Sequence, residues 1–178
     1  MPGVTPGPAP RTSSSQQVGR LKALASGARA LRHGMNAWPP FLFTGVRVEH
    51  LGEDFRSVRV RLHHRPWTSN YVGTLFGGSV FAMTDPFWML MVLRNLGPGY
   101  VVWDRAAEIE FVSPGRSSVT ATFELTEDVL EELRAAAVDG AKVLRWFETE
   151  VVTDDGTVVA RVRKQLYVRQ KRQETSQA

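Results

Sequence analysis

An α+β domain, with an antiparallel sheet wrapped around one buried helix, is what this sequence predicts. Three observations lead there. Residues 77–95 form a helical run in which almost every side chain is apolar or small, so no face of it is suited to water. Strand-like segments with alternating polarity lie on both sides of that run. The triplet Asp154-Asp155-Gly156 is a strong signal for a hairpin between the last two strands.

The chain has 178 residues, 43% of them hydrophobic, enough for one domain with a sizeable core. It has no cysteine, which excludes disulfides, thiolate nucleophiles and cysteine-based zinc sites and fits a reducing compartment. Net charge is +4, with basic residues concentrated in 11–32 and 161–172. That balance favours anionic partners without choosing among them. The first 15 residues are rich in Pro, Gly and Ser and are expected to be disordered. They carry no apolar stretch of signal-peptide length, so the expected location is cytoplasmic. The run from Phe76 to Leu93 is too short for a membrane span and has Asp-Pro at its centre.

Residues 16–37 have a helical stripe, Leu21, Leu24, Ala28, Leu31 and Met35, which predicts a helix docked on its own domain. Pro39-Pro40 should end it. Two strands are expected next, over 42–50 and 57–64, then a loop and the central helix. A long strand over 100–113 follows, and Pro114-Gly115 suits the centre of a type II turn. The returning strand covers 117–125. Thr126-Glu127-Asp128 caps a short helix, and strands 142–153 and 157–168 close the domain. A curved sheet of this kind leaves edges that invite pairing with a second copy.

Asp85 is the sole charged residue between Pro66 and Arg94. On a helix buried all round, its carboxylate is expected to be buried too, which is costly and typical of reactive sites; the alternative is a capping or solvent-reaching Asp at a helix break, since Pro86 follows it. Pro86 cannot donate to the carbonyl of Ala82 and disfavours helical geometry at Asp85, so a kink there could aim the carboxylate. Asp104, Glu108 and Glu110 share one strand face by period-two spacing, read as a solvated face. His63 and His64 are adjacent, hence on opposite faces, and no metal site is expected. There is no Gly-x-Ser-x-Gly elbow of a serine hydrolase. Arg59, Arg61 and the C-terminal basic run lack any nucleic-acid reading motif, so no nucleic-acid partner is expected.

The stretch Asn70-Tyr71-Val72-Gly73-Thr74-Leu75-Phe76-Gly77-Gly78, followed by Asp85, resembles the hotdog-fold acyl-CoA thioesterases of the phenylacetic-acid-degradation type. Four segments together, WPPF (38–41), GTLFGGSVFAMTDPFWML (73–90), VVWDRAAEIEF (101–111) and VVARVRKQLYVR (158–169), are similar to the domain-of-unknown-function 4442 branch of that superfamily. The resemblance spans about residues 36–170. It implies a hotdog domain over 39–170, preceded by a tail (1–15) and an amphipathic helix (16–38) and followed by a tail (171–178). It also implies a homodimer or homotetramer, and hydrolysis of acyl-CoA at the dimer interface. Coenzyme A would enter only as part of the substrate, with no cofactor. Asp85 matches the motif acid, as general base or nucleophile. Gly77 and Gly78 match the oxyanion-binding helix start, and Asn70 matches an orienting group. Thr74, Phe76, Met83 and Trp88 would line the acyl side, and Arg163 could meet coenzyme A phosphate. One departure stands out: the family's His-Gly-Gly is Phe-Gly-Gly here, and Phe76 can donate no hydrogen bond. An alternative is therefore a fatty-acyl or acyl-CoA binding protein on the same fold, without catalysis.

Overall fold

The computed structural model describes residues 27–172. Helix α1 (Ala28–Ala37) and the short helix α2 (Pro39–Thr44) lead into strands β1 (Val46–Leu51) and β2 (Ser57–Leu62). A 3₁₀ turn at Pro66–Thr68 precedes the central helical region, made of α3 (Gly77–Ala82) and α4 (Phe87–Leu96). Then come β3 (Tyr100–Phe111), β4 (Val119–Glu124), α5 (Glu127–Ala136), β5 (Val143–Thr153) and β6 (Val158–Gln170). The six strands form one antiparallel sheet in the order β1-β2-β4-β5-β6-β3. This is the expected α+β arrangement.

The core lies between the inner face of the sheet and α4. Phe87, Trp88, Met91 and Val92 are buried, opposite Val60, Phe123, Phe147 and Leu166. Aromatic rings run through it in a connected series. Phe41 meets Phe87 at 5.9 Å between centroids, Phe87 meets Phe123 at 5.1 Å, and Trp88 meets Phe123 at 5.6 Å and Phe147 at 4.7 Å. Trp88 Nε1 donates to Thr149 Oγ1 at 2.8 Å, which satisfies both buried groups.

Several expectations are corrected. Residues 42–44 belong to α2, not to a strand. Pro39 and Pro40 sit at its first positions, where a missing N–H costs nothing and the fixed φ suits a helix. Gly45 closes it in the left-handed conformation, φ 77°. Only Phe41 of that apolar run is buried, while Leu42 and Phe43 face outward. The turn at Pro114-Gly115 is not type II, since Gly115 stays out of the left-handed region. There the chain keeps hold of β6: Val112 and Ser113 both donate to the Val159 carbonyl. A Cβ on Gly115 would stand 3.1–3.3 Å from Leu75 and Val159, so close packing is what calls for glycine. The hairpin at 154–156 forms as expected, with Thr153 and Thr157 paired across it.

The part of the amphipathic helix before residue 27 lies outside the described residues. Its remainder, α1, turns Ala28 and Met35 into the core and closes one margin of the sheet. Asn36 Nδ2 donates to the Val48 carbonyl at 3.0 Å, Val48 N–H donates to Asn36 Oδ1 at 2.7 Å, and Arg32 donates to the Glu49 carbonyl at 2.8 Å. The side chains of α1 thus occupy the edge groups of Val48 and the Glu49 carbonyl in β1. The outer edge of β3, the strand at the other margin, has no partner strand among the described residues.

A valine at position 149 would leave the buried Trp88 N–H without an acceptor. Thr149→Val is expected to lower unfolding free energy by about 1–3 kcal/mol, read from urea denaturation.

Candidate functional site

The central helix breaks where Pro86 predicts. The Thr84 and Asp85 N–H groups reach back only three residues, to Phe81 and Ala82, and the helix restarts with Leu90 donating to the Pro86 carbonyl at 2.9 Å. The break corrects the expected burial of Asp85. Its neighbours Met83 and Thr84 are buried, but the Asp85 side chain is 58% exposed. Its carboxylate accepts from Lys164. That lysine, which the sequence reading missed, is 97% buried.

Lys164 lies on the inner face of β6, between Val162 and Leu166. Asp104 approaches the same ammonium at 3.5 Å. A bulge in β3 brings it there: Asp104 pairs with Leu166 and Ala106 pairs with Gln165, leaving Arg105 as an extra residue. The extra residue reverses the facing of everything beyond it. Asp104 therefore turns inward, whereas Glu108 and Glu110 pair outward with Arg163 and Arg161. The expected common face of Asp104, Glu108 and Glu110 does not exist.

Burial holds the Asp104 carboxyl above the ordinary aspartate range. The Lys164 ammonium opposes this and the Asp85 charge adds to it.

A second group of site residues gathers at the start of α3. Ser79 and Val80 donate to the Phe76 carbonyl, and the N–H groups of Gly77 and Gly78 have no acceptor among the described residues. Both glycines lie close under phenylalanine rings. A Cβ on Gly77 would come within 2.9 Å of the Phe111 ring, and one on Gly78 within 2.4 Å of the Phe76 ring. Phe76 is 54% exposed.

The preceding loop is folded around Asn70. Its side chain accepts from the N–H groups of Val72 and Thr74 and donates to Thr74 Oγ1. The Asn70 side chain therefore orders its own loop. An open cleft of about 530 Å³ joins Asn70, Thr74 and Gly77 to Phe111, Val112 and Arg116.

Other expected substrate-binding residues lie elsewhere. Met83 is fully enclosed and Trp88 is held in the core. Arg163, on the outer sheet face, bridges Glu108 and Glu148 and stacks on Trp146. Within one chain, Asp85 and the Gly77-Gly78 start are not neighbours. The length of α3 and the helix break lie between them. No group of three or more acidic or histidine side chains that could hold a metal occurs among the described residues.

A six-stranded antiparallel sheet curved around a central helix defines a hotdog-fold protein. Within that class the chain belongs to the family Domain of unknown function (DUF4442), which matches residues 27–168. Among solved structures it is similar to PA5026 of Pseudomonas aeruginosa, a protein of unknown function and probable thioesterase. That match has 18% identity and a TM-score of 0.72, over 80% of this chain and 95% of the other. It is also similar to the thioesterase HI1161 of Haemophilus influenzae, with 16% identity and a TM-score of 0.60, over 85% and 96%. A third is OLEI01261, of unknown function, from Chlorobaculum tepidum, with 13% identity and a TM-score of 0.64, over 81% and 94%. At these identities the likeness is one of fold. No curated protein matches the sequence.

The raised Asp104 value fixes a sign. The folded protein binds this proton more tightly than the unfolded chain, whose aspartates titrate near about 3.9. The stability this contributes is full below that pH and is lost as pH rises through the folded value. The stability of the native protein relative to Asp104→Asn should therefore fall from pH 4 to pH 7, as measured by urea denaturation at both.

Proposed function

We propose that this protein hydrolyses acyl-CoA thioesters at a site completed by two copies of the chain. The observation that carries the reading is the placement of Asp85. A carboxylate is presented to solvent at a break in the central helix, on a fold shared with proteins called thioesterases. In the base route, Asp85 takes a proton from water as the water oxygen adds to the thioester carbonyl. In the nucleophilic route, the carboxylate itself adds, expels the thiolate and leaves an anhydride that water cleaves. Either way a tetrahedral oxyanion forms. The Gly77 and Gly78 N–H groups of the facing copy would bind it and would act most strongly once water is excluded. Collapse releases coenzyme A, whose thiolate takes up a proton, and the carboxylic acid.

The β3 margin supports the two-copy arrangement. Its outer edge has no partner strand among the described residues, and Phe111 and Val112, exposed at its end, line the cleft beside Gly77. An open strand edge next to exposed apolar side chains suits a second copy of itself. With Arg163 held by two glutamates, the exposed Arg116 at the cleft is the better placed cation for the phosphates of coenzyme A. The expected enclosure of the acyl chain by Met83 and Trp88 gives way to the surface of Val72, Phe76 and Phe111.

Phe76 favours a second reading, retention of an acyl ligand without turnover, because an exposed apolar ring stands where the family's histidine would donate.

Free thiol released from short-, medium- and long-chain acyl-CoAs distinguishes the two. Asp85→Asn is expected to lower the rate at least about 100-fold. A folded native protein that turns over none of these substrates would leave the binding reading. In size-exclusion chromatography the full chain should elute at no less than twice its 19.9 kDa.

A further inference from the structure

Three departures from regular structure converge on one point. The alternation of β6 puts a lysine where an apolar residue belongs. The bulge at Arg105 turns Asp104 inward. The break ahead of Pro86 brings Asp85 round to the same ammonium. Lys164 pairs across the sheet with Ala107 on one side and Phe147 on the other, so an apolar side chain would complete this row. An enclosed ammonium costs solvation that packing alone does not require. Local rules broken in three places at once are characteristic of a functional site.

We propose that Lys164 is the positioning residue for Asp85 in thioester hydrolysis, holding one carboxylate oxygen from inside the sheet so that the other faces the substrate. The inference rests on the hydrolytic reading given above. Lys164 donates to Oδ1 of Asp85, and Oδ2 has no partner among the described residues. The pair has a closed side and an open side: the lysine side chain is 4% exposed and the aspartate 58%. A lone aspartate on the surface would rotate freely, whereas one anchored from below keeps Oδ2 aimed at one place, which is what oriented attack requires. Asp104, 3.5 Å from Nζ, steadies the ammonium from the other strand. Lys164 neither gains nor loses a proton in this role.

The test measures kcat and KM separately for the full-length native protein, Lys164→Met, Lys164→Arg and Asp85→Asn, with the folded fraction taken from thermal melts. Lys164→Met should lower kcat per folded protomer about 10–100-fold with KM changed by no more than about threefold, and Lys164→Arg should recover most of that loss. A kcat in Lys164→Met within about twofold of native overturns the inference. If Lys164→Met does not fold, Lys164→Gln is read in its place. A lysine that only supports the fold leaves kcat per folded protomer unchanged in whichever of these two uncharged variants folds. Failure of both to fold assigns Lys164 to the fold and also overturns the inference. Absence of native turnover defeats the hydrolytic reading itself. Native turnover lost in Asp85→Asn but kept in the uncharged Lys164 variant defeats this inference alone.

Discussion

The seating of Phe87 and Trp88 in the hollow of the sheet is the constraint on which the rest of the structure depends. These two residues open α4 and enter the aromatic series that ties α2, β4 and β5 together. Aromatic side chains bury large areas with few rotamers, so they fix position as well as supply burial energy. The hydrogen bond from Trp88 to Thr149 adds direction, since the indole has one donor and the hydroxyl lies on one strand. Because Pro86 directly precedes this pair, anchoring the start of α4 also anchors the break. Asp85 thereby acquires a definite location although it is itself exposed.

Charge on this protein is sorted by face. On the outer face of the sheet, arginines of β6 alternate with glutamates of β3 and β5, in rows such as Glu108, Arg163 and Glu148. These pairs sit in water, where each contributes little to stability. On the inner face a single enclosed ammonium meets two partly exposed carboxylates, Asp85 and Asp104. The same residue types therefore play different parts, and the difference comes from the alternation of β6 and one bulge in β3.

Much of this architecture was legible in the sequence. The apolar run 77–95, the Asp-Asp-Gly turn and the Pro86 break are strong local signals, and each appears in the structure. The misreadings have physical causes. Residues 42–44 are a short apolar run, which periodicity alone does not assign to helix or strand. The preceding proline pair and following Gly45 decide it. Asp85 was expected to be buried because its neighbours are apolar, but a helix break exposes a residue whatever its neighbours are. The inward turn of Asp104 follows from an extra residue in a pairing, and one strand read in isolation carries no trace of its partner's register. Lys164 did leave a signal: a charge at an inward position, out of phase with Arg161 and Arg163. Counting basic residues along the segment concealed it, whereas following their phase would have exposed it.

The contact between Asn36 and Val48 has a consequence for growth. A sheet with two bare margins can recruit a neighbour on each side and lengthen without limit, as fibrils do. Here Asn36 occupies both outward backbone groups of Val48 on β1, whereas the outer edge of β3 has no partner strand among the described residues. The two margins are therefore unequal as sites for strand addition. One asparagine, bonded to both the N–H and the carbonyl of a single valine, takes that rung of the β1 margin out of strand pairing.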